Sequence, residues 1–235
     1  MKAIILAAGC SSRLYPITLE IPKCLLQIGK KKLIEHQIDW LQRCGIKDIL
    51  VVTGYLRNLI EAQLGSLVRY AYYGNYENTN NLYTLYSVKD EMVEDTIILF
   101  SDVLLSVSLL DRCINSSQDI CLIIDSSNIT DKTMRIRMRD GFIFDIGSHI
   151  AVEKADGNFI GVGKFSKDAA NVLVNQMRGV VNNNMYINDY YTIALSKLAL
   201  KGYKIGFIES SGESWVEIDT QNDYDKVINS SFAHG

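Results

Sequence analysis

A small-residue turn closes the first apolar run of the chain: Leu6-Ala7-Ala8-Gly9-Cys10-Ser11-Ser12. Arg13 follows, and ten positions on comes Lys23, directly behind Pro22. Small residues let a ligand approach the backbone, and free N–H groups at such a turn hold phosphate. Two cations at that place offset the charge of a triphosphate. An ordinary strand and turn with two solvated cations accounts for any one of these residues, but the whole string is far harder to reach by chance. Asp102 ends a second apolar run, Thr96 to Phe100, with no cation beside it. It is either the first residue of a turn or a ligand for a hard cation. Mg²⁺ takes oxygen ligands and binds through one or two carboxylates together with substrate phosphates. Glu217 and Asp219 are two apart in Trp215-Val216-Glu217-Ile218-Asp219, so they fall on one side of a strand and offer partner carboxylates. Asp219 alone serves equally well as the N-cap of the last helix, with Asn222 three residues on. Asp102 and Asp219 beside a triphosphate loop favour metal.

The elements that must position these groups alternate through the first half. Ala3 to Ala7 reads as strand. Leu33 to Cys44 carries a helical apolar stripe that Gly45 stops. Asp48 to Thr53 is strand, 58–64 a short helix, Val68 to Tyr73 strand and Asn81 to Val88 helix. Thr96 to Phe100 is strand, Leu109 to Ile114 a short helix, and Ile120 to Ile124 a strand that ends at Asp125. This rhythm predicts an α/β chain with a mostly parallel sheet and helices on both faces. In the second half, Met134 to Arg139 and Phe142 to Ile146 flank Asp140-Gly141, a hairpin signal. Asn158 to Phe165 reads as strand, Lys167 to Met177 and Asp189 to Lys201 as helices, Tyr203 to Ile208 and Trp215 to Ile218 as strands, and Thr220 to Ile228 as a terminal helix. Ligands of open α/β sheets bind beyond the carboxyl ends of the strands. That rule selects the first-strand loop, Gly54-Tyr55, Asn78 to Asn81, Asp102 and Asp125.

Bulk composition narrows the function classes. The chain has 235 residues, 48% hydrophobic and 22% charged, with a net charge of −3. Nothing in that balance favours nucleic acid or an anionic membrane as partner. Both prolines, Pro16 and Pro22, lie in the N-terminal loop and stiffen it. Five cysteines, an odd number without scaffold spacing, read as reduced thiols of a cytoplasmic protein. His36, His149 and His234 are far apart, which argues against a zinc site or a histidine-based triad. The first apolar run is too short for a signal peptide, and no stretch reaches membrane-spanning length.

The order Leu-Ala-Ala-Gly, Arg13, Lys23 resembles the signature of the sugar-phosphate nucleotidyltransferase family. The stretch from Asn80 to Glu91, opening Asn80-Asn81-Leu82-Tyr83-Thr84, and the stretch from Glu217 to Val227 are similar to its choline-phosphate cytidylyltransferase branch. Asn158 to Phe165 is similar to its aminoethylphosphonate branch, and enzymes that cytidylylate phosphoglutamine are another similar branch. The resemblance spans almost the whole chain and implies one Rossmann-like nucleotidyltransferase domain over 1–235, with an acceptor side at about 125–184. It implies transfer of CMP from CTP to a small phosphorylated or phosphonate acceptor, in surface-polysaccharide decoration, with Mg²⁺ as cofactor. Arg13 and Lys23 are the implied catalytic cations, Arg13 on the β and γ phosphates and Lys23 on the α phosphate. The phosphate-holding backbone is Ala8 to Ser12, and Asn80, Asn81 and Thr84 face base and ribose. With the strand-end rule, the nucleotide-binding set becomes Leu6, Ala7, Ala8, Gly9, Cys10, Ser11, Ser12, Gly54, Asn80, Asn81, Thr84 and Ser101. Asp102 and Asp219 hold the metal, with Glu217 as a third contact. The family has Gly where this chain has Ser11, which restricts the backbone there.

For the acceptor, Asp189, Tyr190 and Trp215 are candidates to surround an ammonium head by ion pairing and cation–π contact. Core packing of the aromatics is the plainer alternative, and it is preferred for Tyr191. Asp189 equally suits a helix N-cap. Lys132, Arg135 and Arg137 beside the hairpin either steer an anion or decorate a surface strand. An acceptor phosphate with a second pKa of about 6 is already ionised, so no general base is needed. No nucleic-acid or membrane partner is expected, and a homodimer is left open. A glycosyltransferase is disfavoured because Ser101-Asp102-Val103-Leu104 lacks Asp-x-Asp, and a small-molecule kinase because no P-loop occurs. A sugar-1-phosphate nucleotidyltransferase and a non-catalytic nucleotide sensor remain the alternatives.

Overall fold

The computed structural model describes residues 1–131, 134–230 and 232. In chain order the elements are β1 (Lys2–Ala7), β2 (Gln27–Ile28), β3 (Lys31–Lys32), α1 (Leu33–Arg43), β4 (Asp48–Thr53), α2 (Arg57–Leu64), β5 (Arg69–Tyr72), α3 (Asn81–Ser87), β6 (Thr96–Phe100), β7 (Val103–Leu105), α4 (Val107–Ile114) and β8 (Ile120–Asp125). Then come β9 (Met134–Arg139), β10 (Phe142–Gly147), β11 (Gly157–Phe165), α5 (Lys167–Val181), α6 (Thr192–Leu200), β12 (Gly206–Glu209), β13 (Trp215–Glu217) and α7 (Gln221–Ile228).

The centre of the sheet is β6-β1-β4-β5, all parallel. β11 runs antiparallel to β6 over Val162 to Phe165 and to β9 over Gly157 to Phe159, and β8 pairs along its opposite edge; β9 extends the sheet to β10 and β8 extends it to β12. Every residue of β1 is buried. Ala3, Ile5 and Ala7 pack into one helical layer with α1, and Ile4 and Leu6 into the other with α3, α5 and α6. Burial on both faces is why this strand is a continuous apolar run without alternation. Because the central strands are parallel, the ends at Ala7, Thr53, Tyr72 and Phe100 open on one edge, and the functional side chains gather there.

The hairpin forms as expected. Asp140 and Gly141 both take positive φ, 51° and 77°, as a two-residue hairpin turn demands. β11 changes partners along its length, and its register shifts between Phe159 and Gly163. Gly161 sits in that irregularity at φ +88°, where a Cβ would lie 2.8 Å from the Phe100 ring.

Several boundaries differ from the sequence reading. α6 begins at Thr192 rather than at Asp189, because 188–191 is tied to α3: Tyr191 N–H donates to Asn81 Oδ1 at 2.9 Å. Asp189 is therefore not a helix cap. α5 runs four residues further, to Val181. The last strand before β13 starts at Gly206, not Tyr203. The cap of α7 is Thr220, in a reciprocal pairing with Asp223, so neither Asp219 nor Asn222 fills that role. Arg135 is neither an anion guide nor a surface charge. It is buried, and its guanidinium donates to the carbonyls of Ile150, Ser148 and Thr130. Arg137 lies over the Phe144 ring, 4.8 Å from its centroid. Lys132 and His234 lie outside the described residues. All five cysteines are free thiols. Among the described residues no helix is long and apolar enough to cross a membrane.

Candidate active site

Three separate stretches of chain converge on one ammonium group. Lys23 opens a short 3₁₀ turn, Lys23–Leu25, whose three residues are all buried. Its Nζ donates to Asp102 Oδ2 at 2.8 Å and to Asp219 Oδ1 at 2.7 Å. Arg13, largely exposed, reaches the same Asp219 Oδ1 at 3.0 Å. Asp102 occupies the turn between β6 and β7. Asp219 follows β13, which pairs antiparallel with β7 so that Glu217 faces Val103. Ile218 N–H donates to the Asp102 carbonyl at 3.0 Å and ties the two segments together. The carboxylates of Asp102, Glu217 and Asp219 each place an oxygen within 4.8 Å of the others.

The charge balance here is unusual. Burial alone would lower the Lys23 pKa, but Asp102 and Asp219 outweigh it and hold the ammonium charged. Burial, with the like charges of Asp102 and Asp219 added, pushes Glu217 well above the ordinary carboxylate range. Asp102 Oδ1 and Asp219 Oδ2 are buried and accept no hydrogen bond. Buried carboxylate oxygens left unpaired beside a third carboxylate fit a hard divalent cation, which would satisfy both at once.

A cavity of about 140 Å³ opens above this cluster, lined by Leu6, Ala7, Gly9, Ser11, Arg13, Lys23, Asn80, Asn81, Ser101, Asp102, Tyr190 and Glu217 among others. A pocket of about 80 Å³ adjoins it across Leu6, Gly9, Asn80 and Asn81, and adds Ala8, Thr84, Tyr76 and Thr79. A third cavity, about 460 Å³, lies beyond Glu217 and Asp219 and contains Asp125, Ser127, Ser210 and Trp215. Glu217 lines both the first and the third.

Most of the expected nucleotide set thus faces one space. Cys10, Ser12 and Gly54 line none of these three cavities. Gly54 instead lets β4 close onto the first loop: a Cβ there would lie 2.6 Å from the Ala8 carbonyl, and Tyr55 N–H donates to that carbonyl at 3.0 Å. Asn80 caps α3 through Asn81 N–H and donates to the Asn188 carbonyl, so its amide fastens two segments as well as facing the cavity. Ser11 does adopt the left-handed conformation that suits Gly, at φ 52° and ψ 48°. Thr18 Oγ1 donates to its carbonyl at 2.9 Å and helps to hold it there.

The acceptor trio does not form one cage. Tyr190 faces the first cavity and stands 6.1 Å from the Phe100 ring. Trp215 lines the third cavity, its indole N–H donating to Asp125 Oδ2 at 3.0 Å. Asp189 lines neither. Tyr191 is fully buried against Phe100 and Phe159, as expected for core. Sequence reasoning missed Tyr76, although its position in the loop after β5 meets the strand-end rule, whereas Thr79 fell within the Asn78 to Asn81 stretch that the rule selects. It also missed the Asp125 clamp, in which Ser127 Oγ and Ser210 Oγ donate to Oδ1 at 2.7 and 3.1 Å.

This geometry is matched elsewhere. A family model described as Nucleotidyl transferase matches residues 2–134, and the chain belongs to that family. The resemblance to particular members extends over the full length. The CTP:phosphoglutamine cytidylyltransferase of Campylobacter jejuni is 29% identical, over 97% of this chain and 99% of the relative. The choline-phosphate cytidylyltransferase of Streptococcus pneumoniae is 30% identical, over 97% and 96%. A solved structure of the CTP:phosphocholine cytidylyltransferase from Streptococcus pneumoniae superposes with a TM-score of 0.84 at 27% identity, covering 97% of each chain. A solved structure from Bacillus anthracis shares the fold, with a TM-score of 0.82 at 20% identity over 99% and 95%. The protein is a nucleotidyltransferase with the Rossmann-like α/β fold of that family, on the cytidylyltransferase branch.

Two outcomes follow from the strain and the charge. Ser11→Gly removes a left-handed penalty of about 1 kcal/mol and returns part of it as unfolded-state entropy. Urea unfolding should show a gain of about 0.5 kcal/mol, and a loss of stability would mean that the Ser11 side chain holds the loop. For Glu217 the raised pKa makes its ionised form unfavourable in the folded state, so the penalty appears as pH rises above the usual carboxylate range and is absent below it. Glu217→Gln should therefore raise the melting temperature of metal-free protein at pH 8 by on the order of 3 °C, and by less at pH 5. Equal melting curves at both pH values would remove the proposed repulsion.

Proposed function

We propose that the enzyme transfers CMP from CTP to the phosphate or phosphonate of a small amine- or amino-acid-type acceptor and releases pyrophosphate. Support comes from Glu217, which stands between the cavity of the small-residue loop and the acidic, Trp215-lined cavity, so that two ligands would meet over the Lys23 cluster. The relatives named as CTP:phosphoglutamine and choline-phosphate cytidylyltransferases supply the nucleotide and the acceptor class. Phosphocholine, phosphoglutamine and aminoethylphosphonate all join an anionic end to a cationic one. In the third cavity the ammonium end would lie beside Trp215 and the acidic wall, a favourable cation–π and ionic setting. Surface-polysaccharide decoration is the process we attach to such a product. We read 1–235 as one domain whose acceptor side begins at Asp125.

In the reaction an ionised acceptor oxygen forms a bond to the α phosphorus of CTP, and the bond from that phosphorus to the β-phosphate oxygen breaks. Pyrophosphate leaves with the electron pair. Two anions must approach, and at ~4 Å and an effective dielectric near 20 each unit charge pair repels by about 4 kcal/mol. Lys23 offers its charge to the α phosphate as it lets go of Asp102 and Asp219. Arg13, at the open rim, takes the outgoing phosphates. The backbone of Ala8 to Ser12 holds the chain of phosphates in line. Asp102, Asp219 and Glu217 would hold Mg²⁺, which supplies neutralising charge at the phosphates. Lys23 and Arg13 face the Asp102 and Asp219 carboxylates with Glu217 beside them, so a bound cation would give the cluster the positive excess that a triphosphate needs.

Lys23→Ala should lower kcat by at least about a hundredfold while the fold survives, and near-normal turnover would remove Lys23 from the chemistry. Pyrophosphate release should be fastest with CTP when CTP, UTP, dTTP and ATP are compared over a panel of phosphocholine, phosphoglutamine, aminoethylphosphonate and sugar 1-phosphates. Better use of UTP or dTTP with a sugar 1-phosphate would replace this assignment with the sugar-nucleotide alternative.

A further inference from the structure

Gln37 lies on α1, away from every cavity wall described above, and is fully buried. Its buried neighbours on the helix are Leu33, Ile34, Ile38, Trp40 and Leu41. A primary amide in such surroundings requires partners. Its Nε2 donates to the Phe100 carbonyl at 2.8 Å and to the Val103 carbonyl at 2.8 Å. Those two residues flank Ser101-Asp102, the turn between β6 and β7. An amide nitrogen has two hydrogens, so one group closes both ends of a two-residue turn from the inside. Ile218 N–H holds the same turn from the other side, through the Asp102 carbonyl. The Gln37 Oε1 is buried without a partner. Methionine has a similar shape without that unpaired oxygen, so what the amide adds is the pair of N–H bonds.

We infer that Gln37 is a positioning residue for the divalent-cation site: it fixes the 100–103 turn so that the Asp102 carboxylate is aimed at Lys23 and Asp219. This rests on the reading that Asp102 carries the cation. A group that orients a ligand without touching the metal still governs metal affinity, typically by about ten- to a hundredfold.

The test uses the whole chain with Gln37→Met, and with Gln37→Glu as a second variant of the same length. Folding is checked by circular dichroism and melting without metal. Mn²⁺ binding in the presence of CTP is measured by electron paramagnetic resonance, and the Mg²⁺ dependence of pyrophosphate release is measured alongside. The expected result is folded protein whose Mn²⁺ dissociation constant is raised by about tenfold or more, with the Mg²⁺ concentration for half-maximal rate raised in parallel and kcat largely recovered at saturating metal. Unchanged Mn²⁺ affinity in folded Gln37→Met overturns the inference. Failure of both variants to fold overturns it too, because the amide would then serve the fold as a whole. Asp102→Asn separates the two levels. If it keeps Mn²⁺ binding, the assignment of the metal to Asp102 is wrong, whereas if it loses binding and Gln37→Met does not, only the role of Gln37 falls.

Discussion

A buried ammonium shared by two buried or half-buried carboxylates is the interaction on which the site depends. Lys23 is bonded to Asp102 and Asp219, which are 79 and 196 residues away in sequence. Removing one partner of such a group leaves an uncompensated charge, at a cost of about 3–5 kcal/mol. The N-terminal loop, the β6–β7 turn and the segment after β13 are therefore locked to one another before any ligand arrives. The same bonds keep Lys23 charged and aimed at the cavity floor.

The arrangement is poised rather than complete. Each of Asp102 and Asp219 uses one oxygen on Lys23 and leaves the other buried and unpaired. Glu217 is pushed toward its protonated form by its burial and, next, by the two carboxylates beside it. A cation joining these three groups would relieve both problems, and a triphosphate would then draw Lys23 and Arg13 away from Asp219. On the proposed reading, charge neutralisation in the free protein and in the loaded one would use the same side chains with different partners, and a cluster strongly acidic in composition would thereby serve an anionic substrate.

The scaffold supplies precision through backbone contacts. β7 and β13 form a small ribbon of their own, apart from the main sheet. It brings Glu217 and Asp219 up to the turn by which the chain leaves the main sheet at the end of β6. The close approach of Gly54 to Ala8 and the left-handed Ser11 shape the first loop from below. Trp215 is held by Asp125, whose other oxygen is satisfied by Ser127 and Ser210. The wall of the third cavity is therefore a bonded unit rather than a loose aromatic.

Local pattern in the sequence was enough for the parallel α/β core, the hairpin at Asp140-Gly141 and the small-residue loop, because hydrophobic period and turn chemistry act over a few residues. The Lys23, Arg13, Asp102 and Asp219 set was legible because strand-end loops and a distinctive spacing mark it. Asp219 was ambiguous between cap and ligand, and only the fold removed the cap reading, by giving the cap to Thr220 and pairing the carboxylate with Lys23. The start of α6 was misread because Asn81, more than a hundred residues away, holds the 188–191 segment out of helix. The acceptor trio does not gather in one place for a similar reason: Tyr190 and Trp215 line different cavities. The role of Arg135 in binding three carbonyls could not be seen, since a charged residue on a strand carries no local sign of burial. Chain order fixes which residues have the right chemistry, but which of them meet depends on long-range packing, and that exists only once the sheet has brought its strand ends to one edge.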